Sequence, residues 1–335
     1  MSLLVADIGG TNARFGFQKL KGSEITAVQF LECKDFLKIE DAIKFYLASN
    51  NLIIKNLSLS VAGPCSKNIV KLTNNHWQFD KRKILKEFGC KSILAINDFA
   101  AQGLGLSEFF RSKKISFSST VLKRHKIVVL KKGIPQEKTN ILVTGPGTGL
   151  GICTLSKIGS DILPIQGEGG NVHFSPANKL EIEILQFLSK KMDYVSTEEL
   201  LSGRGLENIY EFLLKKHKRK ETKKSAKEIG ESALNNDKIS KQASKIMFEI
   251  LGTSISNNIL VNGCQRGVVI CGGISSKLKS VILESNFLSA VENKGRYSDY
   301  VGKVPIFLSV DDNNGLKGAA EAFHNIFFQD SKEFI

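Results

Sequence analysis

Leu3-Leu4-Val5-Ala6-Asp7-Ile8-Gly9-Gly10-Thr11-Asn12 sets the reading of the whole chain. A short apolar run bounded by a glycine pair reads as a buried strand entering a tight turn. Glycines let backbone N–H groups come close to phosphate oxygens, and Thr11 adds a hydroxyl donor. Asp7, at the strand end, is suited to holding Mg²⁺ beside such phosphates, directly or through water. Taken alone, the segment also reads as a plain hairpin turn. Outward from it, residues 13–18 and 25–31 have strand composition, so an antiparallel meander is expected to open the chain.

The same pattern returns in the middle of the sequence. Residues 140–144 read as a strand that runs into Gly145-Pro146-Gly147-Thr148-Gly149-Leu150-Gly151, with a second strand over 152–155. A repeated strand, glycine-rich turn with threonine, and strand suggests two related domains, each with a phosphate-binding hairpin. No Gly-Lys-Ser or Gly-Lys-Thr occurs, which excludes a Walker A loop. A strand, not a long helix, follows the second turn, which argues against a dinucleotide fingerprint. Helices are predicted over 39–47, 80–88 (capped by Asp80), 179–188, 205–214, 237–261 (one apolar stripe) and 315–327. Further strands are predicted over 57–62, 93–96 and 268–271. Strands alternating with helices give an α/β class with mixed sheets. Residues 113–132 read as an exposed hairpin or loop insertion.

Bulk properties narrow the classes further. At 335 residues, 42% hydrophobic and 24% charged, the chain suits a soluble two-domain protein. No apolar run reaches the ~18 residues of a membrane span, and the start lacks a basic n-region. A cytoplasmic protein without a membrane role is expected. The six cysteines are scattered with no C-x-x-C pair, so reduced thiols, several buried as small hydrophobes, are expected. Net charge is +14, and all of it comes from residues 113–132 and 215–227, which carry +7 each. No aromatic residues interleave with the second run, so solvated surface is favoured over a nucleic-acid platform.

Three further segments carry chemistry. Asn97-Asp98 lies at the C-terminal end of a predicted strand, where sites of α/β sheets form. By position alone, Asp98 reads more readily as a helix N-cap than as a base. Gly167-Glu168-Gly169-Gly170-Asn171 exposes a glutamate between glycines, and Ser196-x-Glu198 precedes Leu201-Ser202-Gly203.

With Thr73-Asn74, Cys271-Gly272-Gly273 and Asp312-Asn313-x-Gly315, these segments resemble the bacterial glucokinases. The likeness is to the non-ROK group within the hexokinase and actin-like ATPase superfamily, and runs in order from Val5 to about Ala322. It implies two actin-like (ribonuclease H-like) α/β domains around a cleft. Residues 1–108 with 312–335 would form the small domain, and 109–311 the large one. It implies ATP-dependent phosphorylation of glucose at the 6-hydroxyl, with Mg²⁺ and a homodimer. By resemblance Asp98 is the base, with Asn74, Asn97, Asp98, Glu168, Asn171 and Glu198 on the sugar. Asp7, Gly9, Gly10, Thr11, Asn12, Gly147, Thr148, Gly149, Gly272 and Gly273 line ATP, and Asp7 serves the metal.

One position departs from the pattern. The family usually has histidine after Gly-Glu-Gly-Gly, and this chain has Asn171. Asparagine can donate and accept but is shorter and stays neutral. His173 is two residues displaced along the chain and is not expected to replace it. A kinase of mannose, fructose or an aminosugar is therefore the alternative reading. A catalytically inactive sugar- or nucleotide-binding regulator is a further one, opposed by the presence of Asp98, Glu168 and both glycine turns.

Overall fold

The computed structural model describes residues 2–334 other than 66, 73, 74, 113 and 221. Its strands are β1 (Leu3–Ile8), β2 (Asn12–Gln18), β3 (Ile25–Glu32), β4 (Asn56–Val61), β5 (Ile69–Lys71), β6 (Gln78–Asp80) and β7 (Ser92–Asn97). They continue with β8 (Ile127–Lys131), β9 (Ile141–Pro146), β10 (Leu150–Ile158), β11 (Asp161–Gly167), β12 (Gly267–Ile270), β13 (Ile306–Ser309) and β14 (Glu333–Phe334). The chain divides into two compact units. Met1–Lys113, Lys157–Gln166 and Asp312–Ile335 form the first, and Lys114–Ser156 and Gly167–Asp311 the second.

In the first unit the sheet order is β14-β7-β4-β1-β2-β3. β1, β2 and β3 form the expected antiparallel meander, and β4 and β7 continue parallel to β1. Leu3, Leu4, Val5, Ala6 and Ile8 are all buried. A strand apolar on both sides of its pleat needs cover on both faces. Ile39, Ala42, Ile43 and Tyr46 of the helix Ile39–Ser49 share a core with Leu4, Ala6 and Ile8. The helix Asn314–His324 packs on β1 and β4, burying Leu316, Ala319, Ala320 and Phe323. Asp80 caps the helix Lys81–Phe88 as expected, accepting from the Arg82 and Lys83 N–H groups.

In the second unit the hydrogen-bonded order is β10-β9-β12-β13-β8. Here too an antiparallel hairpin, β9–β10, lies beside parallel strands, β12 and then β13. The arrangement β2-β1-β4-β7 thus has its counterpart in β10-β9-β12-β13, which is the structural form of the sequence repeat. The helix Lys238–Asn262 starts at a capping Asp237 and ends at Gly263, whose φ is 62°. Phe248, Leu251 and Ile259 are buried beside the expected stripe, so the helix is covered on more than one side.

The reading of 113–132 as an exposed hairpin or insertion is overturned. The segment holds a short helix, Ser119–Arg124, and β8, which pairs antiparallel with β13 and buries Ile127 and Leu130. All six cysteines are free, and all but Cys65 are buried. No described helix is long and apolar enough to cross a membrane.

Candidate active site

The first unit brings the opening glycine turn and Asp98 to one edge of its sheet. Ile8 pairs with Val61, and Val61 with Asn97, so β1 and β7 end level with β4 between them. Two strand spacings put those ends ~10 Å apart. The turn is fixed by its own backbone and by its neighbours. Gly9 N–H donates to the Asn12 carbonyl at 3.0 Å, and Cys33 N–H to the Thr11 carbonyl at 2.9 Å. Asn75 Nδ2 donates to the Gly9 carbonyl at 3.0 Å. Thr11 and Asn12 are exposed.

Asp7 lies directly across from Arg14 on β2 and from Ser60 on β4. Ser60 Oγ donates to Asp7 Oδ1 at 2.8 Å. Burial pushes the Asp7 carboxyl above the ordinary aspartate range, opposed by the Ser60 hydrogen bond and the Arg14 guanidinium. That guanidinium is itself braced 4.0 Å above the Phe30 ring. The helix Asn314–His324 starts hard against the carboxylate, and a Cβ on Gly315 would lie 2.2 Å from Asp7 Oδ2.

Asp98 is not the helix cap. β7 runs through Asn97, whose backbone is extended, so the cap falls one residue earlier. Asn97 Oδ1 accepts from Phe99 N–H at 2.9 Å and Ala100 N–H at 3.2 Å. Asp98 is the first residue of the helix Asp98–Leu104 and is half-buried, its Oδ1 also accepting from Phe99 N–H at 2.9 Å. The helix is held at backbone contact distance: a Cβ on Gly318 would fall 1.7 Å from the Ala101 carbonyl oxygen. Burial pushes the nearby Cys65 thiol up to about 12; Lys81 opposes the shift and Asp98 adds to it. Asn74 lies outside the described residues.

The second unit brings the other predicted residues together. In the β9–β10 hairpin, Leu150 pairs with Pro146, and Gly147 N–H donates to the Gly149 carbonyl at 2.8 Å across Thr148. Gly272, at φ 97°, sits against this turn, because a Cβ there would meet the Pro146 carbonyl oxygen at 2.8 Å. Gly273 opens the short helix that follows. Glu168 and Asn171 are exposed, and Asn171 N–H closes a turn onto the Glu168 carbonyl at 2.9 Å. The Tyr194 hydroxyl donates to the Asn171 carbonyl, and the His173 ring packs edge-on against Tyr194 at 4.4 Å. Glu198 is partly buried, and its Oε2 accepts from Leu150 N–H at 2.9 Å.

Ser60, Asn75 and Tyr194 were missed as supporting residues, and Gly315 stood in a motif without a role of its own. Ser58 and Ser60 alternate inside the apolar strand β4, and both are fully buried. Hydroxyls on one face of such a strand signal a buried acceptor to be satisfied, here the Ala319 carbonyl and Asp7. Asn75 and Tyr194 meet their partners across distances in sequence that no local pattern shows.

The family model described as Glucokinase matches residues 4–326. The chain belongs to the glucokinase family. A glucokinase of Hahella chejuensis is 33% identical over 326 residues, covering 96% of this chain and 97% of the relative. One from Neisseria gonorrhoeae is 35% identical over 324 residues, covering 96% and 94%. A solved glucokinase from an Antarctic psychrotroph superposes with a TM-score of 0.80 at 29% identity, covering 96% and 98%. The chain is an enzyme of the glucokinase family, and its fold is the two-domain actin-like fold of the sugar kinases.

Proposed function

We propose that the chain transfers the γ-phosphoryl group of ATP to the 6-hydroxyl of glucose, giving glucose 6-phosphate and ADP. Family membership over nearly the whole chain supports the reaction. The placement of Asp98 and the Gly9-Gly10-Thr11 turn at one sheet edge carries the residue-level reading. Within the family we place the chain in the non-ROK group. The first compact unit then acts as the small domain, and the second as the large one. A cytoplasmic homodimer accompanies this reading.

Asp98 accepts the proton of the attacking hydroxyl. Its Oδ1 accepts from the Phe99 N–H, which fixes the carboxylate at the start of the helix. Phosphoryl transfer has a loose transition state, so positioning and charge neutralisation do most of the work. Asn97 has its carbonyl oxygen committed to the helix cap, so it offers the sugar its amide hydrogens. Glu168, Asn171, Glu198 and Asn74 supply the other partners of the sugar hydroxyls. Gly9, Gly10, Thr11, Asn12, Gly147, Thr148 and Gly149 line the phosphates, and Gly272 and Gly273 the adenosine.

No group of three or more His, Cys, Asp or Glu side chains suited to a metal occurs among the described residues. A single carboxylate at a phosphate turn nevertheless suits Mg²⁺, which binds through one or two carboxylates, water and substrate phosphates. Asp7, held by Ser60, is that carboxylate and would meet the ion directly or through water. When bound, Mg²⁺ would offset phosphate charge.

A coupled assay with ATP and Mg²⁺ across glucose, mannose, fructose and glucosamine tests the proposal. Glucose is expected to give the highest kcat/KM. A higher value for another hexose would favour the second reading, which Asn171 supports. No turnover of any hexose would overturn both.

A further inference from the structure

Ser196-Thr197-Glu198-Glu199-Leu200-Leu201-Ser202-Gly203 is tied at its start to the loop carrying Glu168 and at its end to the second glycine turn. On the loop side, Thr197 N–H donates to the Val172 carbonyl at 2.9 Å, and Ser196 and His173 form an antiparallel bridge. On the turn side, Gly203 N–H donates to the Gly147 carbonyl at 2.9 Å. Glu198 Oε2 accepts from Leu150 N–H at 2.9 Å. Position 149 is glycine where this carboxylate passes. A Cβ there would lie 2.5 Å from Oε2 and 3.0 Å from Cδ of Glu198. The glutamate is in turn held by Ser202 Oγ, which donates to the Glu198 carbonyl at 2.8 Å. The Arg204 guanidinium, paired with Glu199, stands 3.7 Å from Glu198 Oε1.

We propose that Glu198 is a positioning residue for the phosphate turn as well as a sugar ligand, so that nucleotide and sugar share one anchor. This rests on the reading above of 147–149 as the phosphate turn. A carboxylate hydrogen-bonded to a turn N–H restricts the turn before nucleotide arrives, which lowers the ordering cost of binding. A residue that served the sugar alone would not alter nucleotide affinity when sugar is absent.

Calorimetric titration of the sugar-free full-length enzyme with the Mg²⁺ complex of AMPPNP, a non-hydrolysable ATP analogue, separates the two roles. Glu198→Ala removes the acceptor and is expected to weaken binding about tenfold, the size expected for a hydrogen bond to a charged group. Glu198→Gln keeps an oxygen for Leu150 N–H and is expected to stay within about threefold, although its glucose KM rises. Glu198→Asp keeps the charge but is one methylene short, and should behave like Glu198→Ala, which covers the case of that variant failing to fold. Gly149→Ala should weaken sugar-free binding on its own and add little to Glu198→Ala, as coupled neighbours do. If Glu198→Ala and Glu198→Asp raise only the glucose KM and leave sugar-free affinity unchanged, the positioning role is overturned. Failure of the wild type to bind AMPPNP or turn over glucose would instead sink the underlying functional reading.

Discussion

Asn97 and Asp98 divide two tasks that a single acidic residue could have combined. Asn97 caps the helix Asp98–Leu104, and Asp98, one residue on, is left as the proposed base. The two roles should therefore separate on mutation. Asp98→Ala is expected to lower kcat by ~10²–10⁴, the usual weight of a general base, while calorimetric glucose affinity stays within a few-fold. A kcat within tenfold of wild type would remove Asp98 from that role. Asn97→Ala should cost about 1 kcal/mol of stability in denaturant unfolding, as lost caps do, and also raise the glucose KM. Asn171 tests specificity at the same scale. Its carbonyl is pinned by Tyr194, so Asn171→His changes the side chain on a fixed backbone. The variant is expected to raise the ratio of kcat/KM for glucose over mannose, and an unchanged ratio would show that position 171 does not discriminate epimers.

At the scale of elements, each unit rests on a hairpin whose first strand also pairs in parallel with a strand far along the sequence. The hairpins were legible in the sequence because glycine turns between apolar runs are local signals. So was the helix Lys179–Leu188, with boundaries as expected. β8 was not legible, because Ile127-Val128-Val129-Leu130 between lysines takes its register only from β13. The residues of the site were legible as motifs, but their supports were not. Gly315 was visible as part of a motif but its purpose was not, since its lack of a side chain answers to Asp7, more than 300 residues earlier. Gly315→Ala places a Cβ on the carboxylate, and the helix Asn314–His324 must shift away from β1. Overpacking of this kind costs ~1–3 kcal/mol. Denaturant unfolding is expected to show that loss, and the KM for ATP with Mg²⁺ should rise because Asp7 moves with the contact. Normal stability and kinetics in Gly315→Ala would mean that the helix start is free to adjust.

For the whole molecule, charge is the dominant collective property. The lysines of the densest run are partly paired, Lys216, Lys223 and Lys224 with Glu183, Glu211 and Asp237, carboxylates already counted in the +14. Such exposed pairs contribute little individually. Acid sensitivity should instead follow a group whose charged form the fold disfavours. His324, at the end of the helix Asn314–His324, is half-buried, and its pKa is lowered to about 4, by burial first and then by Lys21 and Lys332. The unfolded chain takes up this proton at about 6.5 and the folded protein only near 4. Unfolding therefore binds a proton between those values. The stability contributed by neutral His324 is complete above about pH 6.5 and is lost as pH falls toward 4. Allowing for solvent screening of a partly exposed ring, the loss is on the order of 1–2 kcal/mol. His324→Gln, which cannot titrate, should flatten the fall in unfolding free energy between pH 6.5 and 4 relative to wild type. Taking the difference of the two curves removes what the carboxylates contribute to both. Parallel curves for the two proteins would show that His324 protonates freely in the fold, and that the acid limb belongs to the carboxylates and the excess positive charge.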